Sequence, residues 1–217
     1  MTISLLTHTA KAGTSSSTVT TGAIDTTGAT LIVLVVAQYF LSVGSNPPML
    51  TDSAGNTWPY ETFYTDSVNP ALCLAYCNAP VTSTTHTFTN TEAYPSLAVA
   101  AFSGTALGAP PEFAVGSGAG GQPGSSAPNS NGALIVTGVT SNDNTHTYAV
   151  DSGFTITDGV AGVPAASVDV GLAYLVQTTA AAVNPTWSGQ AGLRSAMTAF
   201  PPASSTTGNF FLFLRGA

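Results

Sequence analysis

Five short segments of this chain occur twice, in the same order. Gly28-Ala29-Thr30-Leu31-Ile32-Val33 returns as Gly132-Ala133-Leu134-Ile135-Val136. Asp52-Ser53 with Thr57 matches Asp151-Ser152 with Thr155, and Leu74-Ala75-Tyr76 matches Leu172-Ala173-Tyr174. Thr87-Phe88-Thr89 matches Thr186-Trp187-Ser188, and Ala98-Val99-Ala100-Ala101-Phe102 matches Ala196-Met197-Thr198-Ala199-Phe200. The offsets stay between 98 and 104. The chain therefore reads as two related halves, residues 3–105 and 111–202, joined at the breaker Gly108-Ala109-Pro110-Pro111. Each repeated block suits burial or a turn, which points to a duplicated scaffold rather than a duplicated active site.

The repeated blocks are strand-like. Short β-branched and aromatic runs alternate with Gly, Pro, Asn and Asp clusters, and no long stretch carries helical periodicity. The runs predict seven strands per half. In the first they are Ser4 to His8, Val19 to Thr21, Leu31 to Phe40, Trp58 to Thr65, Ala71 to Cys77, His86 to Thr89 and Ser96 to Ser103. In the second they are Phe113 to Val115, Ala133 to Thr140, Tyr148 to Val150, Phe154 to Asp158, Val168 to Val176, Asn184 to Ser188 and Arg194 to Phe200. Leu31 to Val36 is apolar at every position and should be covered on both faces, whereas Val168, Val170, Leu172, Tyr174 and Val176 share one face. Turns are expected at Ser45-Asn46-Pro47-Pro48, Ser53-Ala54-Gly55-Asn56 and Ser152-Gly153, and the glycine-rich stretch from Gly116 to Gly124 reads as a flexible surface loop. The fold class expected is all-β: one jelly-roll-like antiparallel β-sandwich over residues 1–202, its duplicated halves interleaved.

Charge and composition narrow the function. Only 6% of the 217 residues are charged and the net charge is −7. Lys11, Arg194 and Arg215 are the only basic residues, too few for a phosphate-tracking surface, so nucleic acid is not an expected partner. The apolar run from Leu31 to Leu41 is interrupted by Gln38 and is about half the length of a spanning helix, so no membrane helix is expected. Met1-Thr2-Ile3-Ser4-Leu5-Leu6 has neither a basic region nor an apolar stretch long enough for a secretory signal.

Residues 203–217 stand outside the repeat as a linker and an apolar strand, Asn209 to Arg215, with no counterpart in the first half. Phe210, Phe211, Leu212, Phe213 and Leu214 are costly to leave in water. They either close an edge of their own sandwich or form an arm that adds a strand to a neighbouring subunit.

Chemistry-bearing residues are sparse, and no catalytic motif emerges: the nucleophile elbow, H-E-x-x-H, P-loop and dinucleotide fingerprints are all missing. His8, His86 and His146 read as hydrogen-bonded or exposed residues rather than bases. Asp52, Asn56 and Asp66, or Asn142, Asp143 and Asn144, could approach one another, yet neither group supplies the six to eight oxygens a hard cation takes, roughly. Asp and Asn there shape turns instead, so neither metal nor cofactor is expected. Cys73 and Cys77 on one strand would have Cα atoms about 13 Å apart, beyond the ~7 Å reach of a disulfide, and read as free buried thiols. Among the aromatics, Trp58, Tyr60 and Tyr64 fall on one strand face and form either core or a glycan-binding platform.

The blocks Thr51 to Trp58, Leu74 to Ala79, His86 to Thr89 and Leu97 to Gly104 resemble a β-sandwich module of tailed-phage virion structural proteins and bacterial surface proteins. The resemblance covers most of residues 15–202. Within that group a short chain without further domains is similar to a capsid decoration (cement) protein. The resemblance implies a non-enzymatic virion protein on the capsid surface, made in the host cytoplasm without a signal peptide. Its implied partners are the major capsid protein and copies of itself as a homo-oligomer. A tail-fibre or adhesin-like glycan-binding module is the alternative.

Overall fold

The computed structural model describes residues 2–15, 17–39, 49–58, 60–64, 70–117, 120–143 and 147–204, with the side chains of 60–64 and 117 excepted. The described residues of the first half form β1 (Ser4–Ala12), β2 (Val19–Thr20), β3 (Leu31–Tyr39), β4 (Leu50–Asp52), β5 (Tyr60–Tyr64), β6 (Ala71–Asn78), β7 (Phe88–Asn90) and β8 (Ala93–Ser103). The second half forms β9 (Phe113–Ser117), β10 (Ala133–Ser141), β11 (Ala149–Val150), β12 (Thr155–Val160), β13 (Asp169–Gln177), β14 (Trp187–Ser188) and β15 (Arg194–Phe200). Among the described residues there is no helix, and every strand pairing is antiparallel.

Each half makes its own sheets. The first supplies a five-stranded sheet in the order β1-β8-β3-β6-β5 and a small sheet β2-β7-β4. The second supplies β9-β15-β10-β13-β12 and the pair β11-β14. Matched by their echoes, the two large sheets have the same strand order and register. Val33 lies opposite Tyr76 and Ala100; Val136 lies opposite Tyr174 and Thr198. The expected interleaving does not occur: among the described strands, none of one half enters a sheet of the other. Strand alternation explains why. β3 carries an apolar residue at nearly every position and β10 is buried at every position, so each sheet is covered on both faces by neighbouring layers without exchange of strands.

Four layers result. The central core draws Leu31, Val33, Val35, Leu74 and Phe102 from one large sheet, and Leu134, Val136, Val170, Leu172 and Phe200 from the other. On the outer face of the first sheet, Ile32, Leu34 and Val36 meet Trp58 and Phe88 beneath the β2-β7-β4 layer. On the outer face of the second, Ile135, Val139 and Met197 meet Phe154 and Trp187. Both faces of Leu31 to Val36 are thus buried, and Val168, Val170 and Leu172 share the central face with Tyr174 and Val176 packed beside them.

The sheet edges are managed. β1, β5 and β12 each carry a register shift, and His8 Nδ1 of β1 is hydrogen-bonded to Asp158 Oδ2 of β12, which fastens two edges together. Bulges and charge at an edge discourage pairing with foreign strands. The described part of the glycine-rich stretch is tied by backbone hydrogen bonds rather than forming the free loop its composition suggests. Gly116 and Ser117 pair with Ala196 and Ser195 in β9, Gly120 donates to the Leu193 carbonyl and Gly121 accepts from Trp187 N. A Cβ at Gly121 would lie 2.0 Å from the Trp187 oxygen, so glycine serves close backbone approach there.

Candidate functional site

The polar clusters of the first half gather at the turn after β4. Asp52 Oδ1 accepts the backbone N–H groups of Ala54 and Asn56 at 2.8 and 3.1 Å, and its Oδ2 accepts the Asn56 amide at 2.9 Å. Asn56 also accepts from Val81 N and donates to Val81 O, which ties the turn to the loop before β7. His86 Nε2 lies 3.4 Å from Asp52 Oδ2 with both side chains fully buried, and His86 Nδ1 is 3.0 Å from Thr26 Oγ1. Burial alone would raise the Asp52 carboxyl. The Asn56 amide, the N–H groups of Asn56 and Ala54 and the nearby His86 outweigh it and hold the carboxyl below its usual range.

His86 is therefore a buried structural residue, and Asp52 with Asn56 shapes a turn instead of presenting free oxygens. Asp66 and Asn144 lie outside the described residues, as does His146. Among the described residues no group of three or more His, Cys, Asp or Glu side chains could hold a metal ion.

The second half repeats the device in part. Asp151 Oδ1 accepts Thr186 N at 2.7 Å and the Ser152 hydroxyl at 2.8 Å, and these bonds hold its carboxyl low. At the other end of the sheet, fully buried Asp169 accepts Gly162 N, the Ser141 hydroxyl and the Gln190 amide. Each carboxylate fastens one backbone segment to another.

Cys73 and Cys77 are both free and buried. Burial pushes both thiols up, and Asp52 adds to the effect at Cys77. A raised thiol is a poor nucleophile at neutral pH.

Of the aromatic platform, Trp58 belongs to the core: it is 9% exposed, with its ring edge-on to Phe88 at 5.8 Å. Buried this way, its face is not available to stack a sugar. Tyr60 and Tyr64 lie on β5, and their side chains are outside the described residues, as are Phe210, Phe211, Leu212, Phe213 and Leu214.

Two cavities flank the central core at opposite ends of the strands. One, of about 770 Å3, is lined by Ile3, Ala106, Gly132, Val176 and Pro202 and is reached by the chain at Ser204. The other, of about 300 Å3, is lined by Tyr39, Tyr94, Asn142, Ala165 and Ser167. There the rings of Tyr39 and Tyr94 meet edge to face, 5.1 Å apart at 61°. Burial raises the Tyr39 phenol, with Tyr94 adding to it.

Tyr94 has φ of 53° and Ala165 of 60°, two of the four non-glycine residues with positive φ among those described. Such a conformation costs on the order of 1–3 kcal/mol in a side-chain-bearing residue. Pro95 adds to the cost at Tyr94, since proline drives the residue before it toward extended backbone. Neighbours enforce the kink: Val168 N donates to the Tyr94 carbonyl, Ser96 Oγ to the Val168 carbonyl, and Gly13 N to the Pro95 carbonyl. Sequence reasoning passed over Tyr94, although the 98-residue offset sets it against Gly192 and so marks an unusual choice. The chain matches no protein-family model, no curated protein and no solved structure.

Proposed function

We propose that this chain is a non-enzymatic phage virion structural protein that binds the outer face of the capsid and reinforces it, with the major capsid protein and further copies of itself as partners. The observation that carries the reading is the back-to-back union of the two large sheets through one apolar core. That union makes a stiff, low-charge plate whose described carboxylates largely serve to tie turns and loops together. We further read each half as a jelly roll arising from duplication. Support comes from the order β1-β8-β3-β6 in one layer against β2-β7-β4 in the other, and from the matching order of the second large sheet. A plate of this kind spans joints between capsid subunits and resists their separation. The segment Asn209 to Arg215 is the proposed anchor, and in the sequence it comes shortly after Ser204, which lines the larger cleft.

The test is co-sedimentation of the purified chain with capsids that lack it, followed by heating of the shells. Bound protein and a higher shell disruption temperature are expected. Failure to sediment with capsids would remove the proposal.

A further inference from the structure

We propose that the cavity between Tyr39 and Tyr94 is a binding site for one neutral saccharide unit. The argument begins with the backbone. Ala98 corresponds to Ala196 at an offset of 98, which sets Tyr94 against Gly192. Both positions are left-handed, at φ of 53° and 64°. Both are followed by a carbonyl that accepts a glycine N–H, Gly13 to Pro95 and Gly120 to Leu193. The same kink thus opens the same strand in each half. Glycine adopts it without strain, as Gly192 does. Tyrosine at this place adds nothing the kink needs, and its ring is directed into a cavity beside a second tyrosine. A residue retained against its backbone preference points to a role for the side chain.

The lining defines the ligand. Among the described residues no Lys, Arg, Asp or Glu lines the cavity, and the net charge of −7 works against anions. Two phenol rings offer apolar faces with polar tips, and Asn142 and Ser167 add an amide and a hydroxyl at the same wall. Aromatic faces beside a few polar groups suit a ring that carries C–H on its faces and hydroxyls at its rim. A volume of about 300 Å3 is at the small end for ligand sites, which commits the site to a single sugar unit at the end of a glycan. This site is separate from Trp58, and it stands independently of capsid binding because it is measured on the free chain.

The test applies a panel of neutral glycans to the full chain, then titrates the strongest binder against wild type, Tyr39→Ala and Tyr94→Gly. Wild type is expected to retain at least one neutral glycan, and each variant to weaken it by roughly tenfold or more. Tyr94→Gly should melt within a few degrees of wild type, because glycine relieves the left-handed backbone. The proposal is overturned if wild type retains no neutral glycan, or if Tyr39→Ala binds as wild type does. It is overturned equally if Tyr94→Gly melts far below wild type, since the ring would then be kept for packing.

Discussion

Val35 of β3 fills the space that any side chain at Gly138 of β10 would need: a Cβ built there would lie 2.6 Å from Val35 Cγ1 and 2.7 Å from Cγ2. At this pair the two large sheets pack directly against each other. Gly138→Ala should therefore destabilise the fold by about 1–3 kcal/mol through overpacking. Adding Val35→Ala should return part of the loss, with a coupling of roughly 0.5 kcal/mol or more in a double-mutant cycle read by denaturant unfolding. Simple additivity of the two changes would show that the contact carries no strain.

The two tryptophans should respond differently to Phe. Trp187 is buried and its indole N–H donates to Thr137 Oγ1 at 3.0 Å. Trp187→Phe removes that bond and shrinks a core residue, a loss of about 2–3 kcal/mol. The Trp58 indole nitrogen is buried with no hydrogen-bond partner among the described residues. Trp58→Phe removes an unpaired donor along with the ring contact, so its cost should stay below about 1 kcal/mol. Paired thermal melts decide the order.

Stability should fall on the acid side. The Asp52 and Asp151 carboxyls lie below their ordinary value in the folded chain. A depressed carboxyl contributes stability that is complete above the unfolded value, near 3.8, and that fades as pH drops through the folded one. Melting temperature should be level from pH 7 to about 5 and decline below about pH 4. Asp52→Asn should be less stable at neutral pH and show a shallower acid decline. An unchanged acid limb in that variant would remove Asp52 from the account.

The thiols give a simple check on β6. Neither Cys73 nor Cys77 should react promptly with a disulfide reagent in the native state, and Cys77, at the wall of a small cleft, should be the faster of the two. Both should titrate at once in denaturant. Fast native labelling of Cys73 would contradict its burial.

Much of this architecture was legible in the sequence, because hydrophobic period and turn chemistry act locally. The continuous apolar run at Leu31 gave a doubly covered strand, and Val168 to Val176 gave a one-faced one. β4 was missed: Leu50–Asp52 is three residues long and too short to show a period. The partition of the halves was misjudged, since whether two sheets exchange strands depends on long-range pairing that no local pattern encodes. Gly116 looked like flexible loop because glycine serves both mobility and close approach, and only the neighbours distinguish the two. The environments of His86 and Tyr94 depend on partners 34 and 74 residues away, Asp52 and Val168, and so lay beyond pattern reading.

The pairing of β1 with β8 bears on how the chain is made. Ser4 meets Ser103 and Lys11 meets Leu97, so β1 has no partner in its sheet until its half is nearly complete. At about 5–20 residues per second that wait is on the order of 5–20 s. During it, β1 is protected by its own composition: it carries Lys11 and alternates exposed with half-buried positions. The apolar β3 can meanwhile pair with β6, which is synthesised well before β8. The strand order thus leaves waiting a strand that has no fully buried position even in the finished fold.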